Sequence, residues 1–224
     1  MFTAKTSELQ HGDNRMSITN GYITSAEAQA YTGVNLAGST SLLDDVVEAS
    51  SRLIDEYCGR HFYQDIAATR HFDTDDAQHL ILGPMADLVS VTSMTEDRLG
   101  DGTYSTTYTA GQYQLGPVGA ATNAPSPQPF TSVKLLNNVT FMCAVPTGRR
   151  GLIKIVGTWG WPEVPIEVKQ ACRIIVAEVM KLESAPLGIV GFADFGVTRV
   201  SKSMSPRASQ MLQPYRHGGN FGIA

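Results

Sequence analysis

The sequence is short of charge. Lys, Arg, Asp and Glu make up 17% of its 224 residues, against about a quarter in ordinary globular chains. The formal net charge is only -4 and the pI is near 5.7. That balance excludes a broad electrostatic grip on nucleic acid, which needs a basic surface to displace counterions. Cysteine is scarce as well. Cys58, Cys143 and Cys172 are odd in number and far apart, which argues against a disulfide framework and against the paired CxxC knuckles of zinc sites. No apolar run approaches the roughly 20 residues that span a bilayer. Residues 1–17, MFTAKTSELQHGDNRMS, hold no apolar core of the secretory type. The expectation is therefore synthesis in a reducing cytoplasm with no membrane partner, and the Asn138-Val139-Thr140 sequon is read as chance. Nucleophile and phosphate motifs are missing: no GxSxG elbow, no GxxxxGK[ST] loop, no GxGxxG after a strand.

What is present has a clear texture. The stretch Ser41 to Gly59, SLLDDVVEASSRLIDEYCG, puts Leu43, Val46, Val47, Ile54 and Tyr57 on one face with small Ser50 between them. That is the stripe of an amphipathic helix with one buried side. Ser41 is the expected N-cap with Asp44 at the capping-box position, and Gly59 the expected left-handed stop. Before it, Thr24-Ser25-Ala26-Glu27 is a second capping box, opening a short helix that Gly33 ends.

From Thr69 to Thr158 the periodicity changes to short alternating runs bounded by turn residues, the mark of antiparallel strands. The expected strands are Thr69–Phe72, His79–Leu82, Leu88–Glu96, Thr103–Thr109, Tyr113–Leu115, Val133–Leu135 and Leu152–Trp159. Asp101-Gly102 reads as a tight turn between two of them. Gly116 to Phe130, rich in Pro, Ala and Gly, and Asn137 to Arg150 read as long surface loops. Pro162 and Pro165 then lead into a helix striped by Val168, Cys172, Ile175, Val176 and Val179, which should stop before Pro186. Residues 187–200 are apolar and broken by glycine, and Pro206 opens a last short helix through Met211 and Leu212.

The expected fold class is α+β, with a helical core of three to four helices carrying a large antiparallel β insertion. Its parts are an N-terminal arm (1–21), the first part of the helical core (22–64), the β insertion (65–158), the long helix (159–186) and a C-terminal docking segment with its tail (187–224).

Chemistry has two candidate locations. His71, Asp73, Asp75 and His79 gather oxygen and imidazole donors of the kind metals take, which admits a metal-dependent hydrolase. The order fits neither HExxH nor an EF-hand loop, so a solvated strand end is the plainer reading. Trp159 and Trp161 could stack on a sugar, as in a carbohydrate-binding module, but Trp at alternate strand positions more often closes a core edge. Cys58 with His61 gives no triad geometry by itself. Asp44, Asp45, Glu48, Asp55 and Glu56 form the polar face of their helix.

The ordered set Tyr22-Ile-Thr-Ser-Ala-Glu-Ala-Gln-Ala-Tyr31, then Leu43-Asp-Asp-Val-Val-Glu-Ala-Ser-Ser-Arg-Leu-Ile-Asp-Glu-Tyr-Cys-Gly-Arg60, resembles the head-tail connector (adaptor) proteins of tailed bacteriophages. Asp73 to Leu82 with Leu88-Val-Ser-Val-Thr-Ser93 is similar to that family's first β-hairpin. Gly160-Trp-Pro-Glu-Val-Pro165 is similar to its entry into the long helix, and Phe195–Val200 with Leu212–Arg216 to its C-terminal signature. The large β insertion and the long arm depart from the smallest members. The resemblance implies a structural protein of the virion neck, made in the host cytoplasm, with no cofactor and no catalytic residue. It implies a homo-oligomeric ring, commonly dodecameric, between the portal protein and a tail-completion (stopper) protein. Genomic DNA would pass through the ring without specific binding. Stopper proteins are the near rival, but they are mostly β-barrels without this helical frame. The residues expected at partner interfaces, in the apolar and basic C-terminal segment, are Phe192, Phe195, Arg199, Arg207, Tyr215 and Arg216.

Overall fold

A computed structural model of the chain describes residues 20–33, 40–122, 127–183, 189–192, 196–199 and 204–217. Its helices are α1 (Ser25–Thr32), α2 (Thr40–Cys58), α3 (Ile166–Glu183) and α4 (Pro206–Leu212). The capping box at α1 forms as expected. Glu27 N–H donates to the Thr24 hydroxyl at 3.2 Å, and Thr24 N–H donates to the Glu27 carboxylate at 2.8 Å. Gly33 closes the helix at φ 68°. Ser41 does not cap α2, because Thr40 is already helical. Asp44 is engaged instead by the Ser25 hydroxyl, which donates to it and ties α1 to α2. Gly59, at φ +65°, ends α2 with its N–H on the Asp55 carbonyl.

The α2 stripe is buried: Leu43, Val47, Ile54 and Cys58 are each 1% exposed or less. Burial of side chains of this size contributes about 1.5–3 kcal/mol each. α3 lies against α1, α2 and α4, and supplies Val168, Ala171, Cys172 and Val176 to the same cluster. Ser205 caps α4 by accepting from Ala208 N–H, and a 3-10 turn, Gln213–Tyr215, follows.

The strands are β1 (Asp65–Phe72), β2 (His79–Ile81), β3 (Leu88–Glu96), β4 (Thr106–Tyr108), β5 (Tyr113–Gly116), β6 (Ser132–Leu135), β7 (Ile153–Trp159), β8 (Ile189–Phe192) and β9 (Gly196–Arg199). They form three antiparallel sheets in the orders β1-β7-β3-β4, β2-β6-β5 and β8-β9. Central β7 buries every second residue, Ile153, Ile155, Gly157 and Trp159, as a strand with one packed face must. Gly157 is required there, since a Cβ would lie 2.2 Å from the Ser90 carbonyl oxygen of β3. A second apolar cluster, with Leu80, Leu88, Met94, Val133 and Trp159 among its members, fills the space between the two larger sheets.

Three further expectations are corrected. β2 and β3 do not form a hairpin: β2 pairs with β6, and β3 pairs with β4 and β7. Asp101-Gly102 is not a two-residue hairpin turn. Residues 97–105 wrap the buried Asp97 carboxylate, which accepts from Gly100 and Gly102 N–H at 2.7 and 2.8 Å. Residues 189–199, read only as a glycine-broken apolar segment, include the paired strands β8 and β9. The arm lies almost wholly outside the described residues.

Candidate functional site

The C-terminal segment was the expected interface, and the structure divides it. α4 and the turn after it close over the helical core. The Tyr215 ring meets Phe62 edge-on at 5.8 Å and Trp161 at 5.5 Å, and its hydroxyl donates to Glu167 at 2.8 Å. Burial, reinforced by that carboxylate, raises the phenol well above its ordinary value. Arg216 lies 5.1 Å over the Tyr57 ring, and His217 N–H donates to the Cys58 carbonyl at 2.6 Å. Tyr215 therefore acts first as an internal plug, with one side left to solvent. Arg207 is exposed at the other end of α4 and lines a groove of about 670 Å³ between α1, α3 and α4. Phe192 pairs with Gly196, and Arg199 with Ile189, across β8–β9; Phe195 lies outside the described residues.

The candidate chemistry does not assemble. Among the described residues no group of three or more His, Cys, Asp or Glu is placed to hold a metal. Asp73 is occupied in accepting Gly151 and Leu152 N–H at 2.8 and 3.2 Å, while His71 rests against Tyr104. The hydrolase reading from His71, Asp73, Asp75 and His79 has no geometric support. Burial pushes the Cys58 thiol up to about 12 and the His61 imidazole down to about 4, with Arg70 adding to the latter. An imidazole held near 4 is far too weak a base to take the proton of a thiol held near 12, so the two form no activated nucleophile–base pair. Trp159 and Trp161 are 0% and 2% exposed, which leaves no face for a sugar. No helix among the described residues is long and apolar enough to cross a membrane.

What the sequence reading missed is a node where the helical core meets the sheets. Arg60 and Asp87 form an ion pair at 3.6 Å with side chains 4% and 5% exposed. Trp161 Nε1–H donates to Asp87 at 3.1 Å, Gly160 N–H donates to the Asp87 carbonyl at 2.8 Å, and Arg60 sits 5.7 Å from the Trp161 ring centre. Burial raises the Asp87 carboxyl, and Arg60 and the indole act against it. The available signal was a lone acid, Asp87, between apolar Ala86 and Leu88 at the start of a buried strand. A second clasp was missed too. Fully buried Glu96 accepts from Arg98 Nε, the Tyr108 hydroxyl and Met142 N–H at 2.6, 2.6 and 2.5 Å.

The buried polar groups Arg60, Asp87, Glu96 and Asp97 hold loops and layers together. No family model matches the sequence, and no curated protein matches it. Solved structures do match. A chain from the neck of the empty gene transfer agent particle, computed with C6 symmetry, aligns at TM-score 0.54 and 17% identity, covering 89% of this chain and 92% of that one. A chain from the neck of the native particle, computed with C12 symmetry, aligns at TM-score 0.52 and 17% identity over 89% and 91%. A chain from the virion of the native gene transfer agent aligns at TM-score 0.51 and 18% identity over 87% and 89%. This chain shares the fold of those particle chains over nearly nine-tenths of its length, in accord with the connector resemblance in its sequence.

Proposed function

We propose that the chain is a non-enzymatic structural protein of a phage-like virion neck, acting as a head-tail adaptor. It forms a ring between the portal and a tail-completion or stopper protein and continues the DNA channel. The observation that carries this reading is the fold match over nine-tenths of both chains to proteins of particle necks. The C6 and C12 symmetries used for those necks support a homo-oligomeric ring here. The net charge of -4 suits a conduit past which DNA slides without sticking. Asp73 is engaged by backbone N–H groups, and among the described residues no group of three or more potential ligands converges, which favours scaffolding over catalysis.

Portal docking is assigned to β8–β9 and the outer side of α4. The hairpin is the better test piece, because residues 204–217 also cover the core and their loss would unfold it. The test is a producing strain that lacks this chain. The expected product is DNA-packaging heads without attached tails, rescued by the chain supplied in trans. Normal tailed, infectious particles without it would overturn the proposal. Replacing residues 189–199 by a short Gly-Ser linker should abolish capture by purified portal while circular dichroism stays unchanged.

A further inference from the structure

We infer that neighbouring copies in the ring meet through the flank of α2 on one protomer and the α1–α3–α4 groove on the next. This deepens the ring reading and rests on it. α2 carries two stripes. The buried one faces α3. The second, Leu42, Ala49 and Leu53, is spaced by seven and four residues. At about 100° per residue these three lie within about 40° of each other, roughly a quarter-turn from the buried stripe. Leu42 and Leu53 are 39% and 41% exposed, and Asp45 and Glu56 are exposed beside them. From Leu42 to Leu53 the stripe runs about 16 Å. One exposed leucine on a surface is ordinary; a straight apolar line edged by acids is what a partner groove reads.

The groove supplies the complement. Its apolar walls are Tyr31, Ile174 and Met180, its exposed cations are Lys181 and Arg207, and Glu178 also lines it. No residue is shared between stripe and groove, so each protomer offers two different surfaces, both apolar and edged by opposite charge. That is the requirement for a heterologous contact, the kind that closes a ring. The charges agree: an acidic edge on the donor meets a basic rim on the acceptor, which favours this register over a stripe-to-stripe contact.

The experiment uses particles assembled with Leu53→Cys, Arg207→Cys, or both, in a Cys143→Ser background, since Cys58 and Cys172 are buried. A short bis-maleimide should convert the double variant into a ladder of linked copies, and neither single variant should give one. Asp45→Lys alone and Arg207→Glu alone should each lower ring incorporation about tenfold through like-charge contact, and combining them should restore it. A closed ring of this chain in the neck with no ladder would overturn the assigned surfaces and leave the ring reading standing. A neck with no ring of this chain would overturn both. Linkage of Leu53→Cys to another virion protein would show that a different partner covers α2.

Discussion

Replacing Asp87 by Ala tests the joint between the helical core and the sheets. The substitution removes the carboxylate that faces Arg60 at 3.6 Å and receives the Trp161 indole N–H at 3.1 Å. Both charged side chains are almost fully enclosed, so Arg60 is left as a buried cation and Trp161 loses an acceptor. Breaking a buried pair in this way costs about 3–5 kcal/mol. His217 Nδ1, 3.4 Å from the Arg60 guanidinium, offers partial compensation, which favours the lower end, about 3 kcal/mol. For a chain of this size that lowers Tm by about 6–12 °C. Arg60→Met with Asp87→Ala removes both charges together, so the double variant should be milder than the sum of the singles and close to Asp87→Ala alone. Chemical denaturation of the four proteins, followed by Trp fluorescence, reads the cycle. A loss below about 1 kcal/mol for Asp87→Ala, or additivity in the double variant, would refute the claim that a desolvated charge pair joins the layers.

Glu96→Ala should cost about 1–3 kcal/mol by removing the acceptor that Arg98, Tyr108 and Met142 N–H share, although Arg98 and Tyr108 keep the Thr140 carbonyl. Hydrogen exchange should then rise first in residues 137–145, while α2 and α3 stay protected. Gly160→Ala should cost about 3 kcal/mol or more, because φ is +102° and the new Cβ would sit 1.9 Å from the Tyr63 carbonyl oxygen; Gly111→Ala, with open space around it, should fall within about 1 kcal/mol of wild type in the same melts. The pH dependence has two opposed parts. Folding moves His61 from 6.5 to about 4; a depressed imidazole contributes stability that is full above 6.5 and lost as pH falls toward 4. Folding moves Asp55 from 3.8 to about 6, through burial opposed by the Tyr22 hydroxyl and Arg52; a raised carboxyl contributes stability that is full below 3.8 and lost as pH rises through 6. His61→Gln should therefore flatten the acid-side loss of stability and Asp55→Asn should steepen it, and parallel curves for all three proteins between pH 4 and 6.5 would contradict both assignments.

Much of this architecture could be read from local periodicity. The expected strands all fall on observed ones, because each alternates apolar and polar residues over one packed face, as β7 does. The α1 capping box needs only four adjacent residues, so it was legible too. Long-range pairing was not. Nothing near β2 announces that its partner is β6, some fifty residues on, and not the adjacent β3. The turn at Asp101-Gly102 was misjudged because the organising group is Asp97, whose side chain gathers the loop's N–H groups. Burial opposes ionisation of Asp97, but the N–H groups of Gly102, Gly100 and Asp101 outweigh it and hold the carboxyl below its ordinary value. Of the expected interface residues, Tyr215 looked like a surface aromatic from sequence, whereas Phe62 and Trp161, distant in the chain, make it part of the core. Arg207 kept the exposed, groove-lining position that a docking residue needs.

The most direct measurement is a focused cryo-EM reconstruction of the neck in purified particles. The expected density is a closed ring of this chain between portal and tail, with α2 of each copy against the α1–α3–α4 groove of the next and β8–β9 turned toward the portal. A neck fully accounted for by other proteins, with this chain absent, would contradict it.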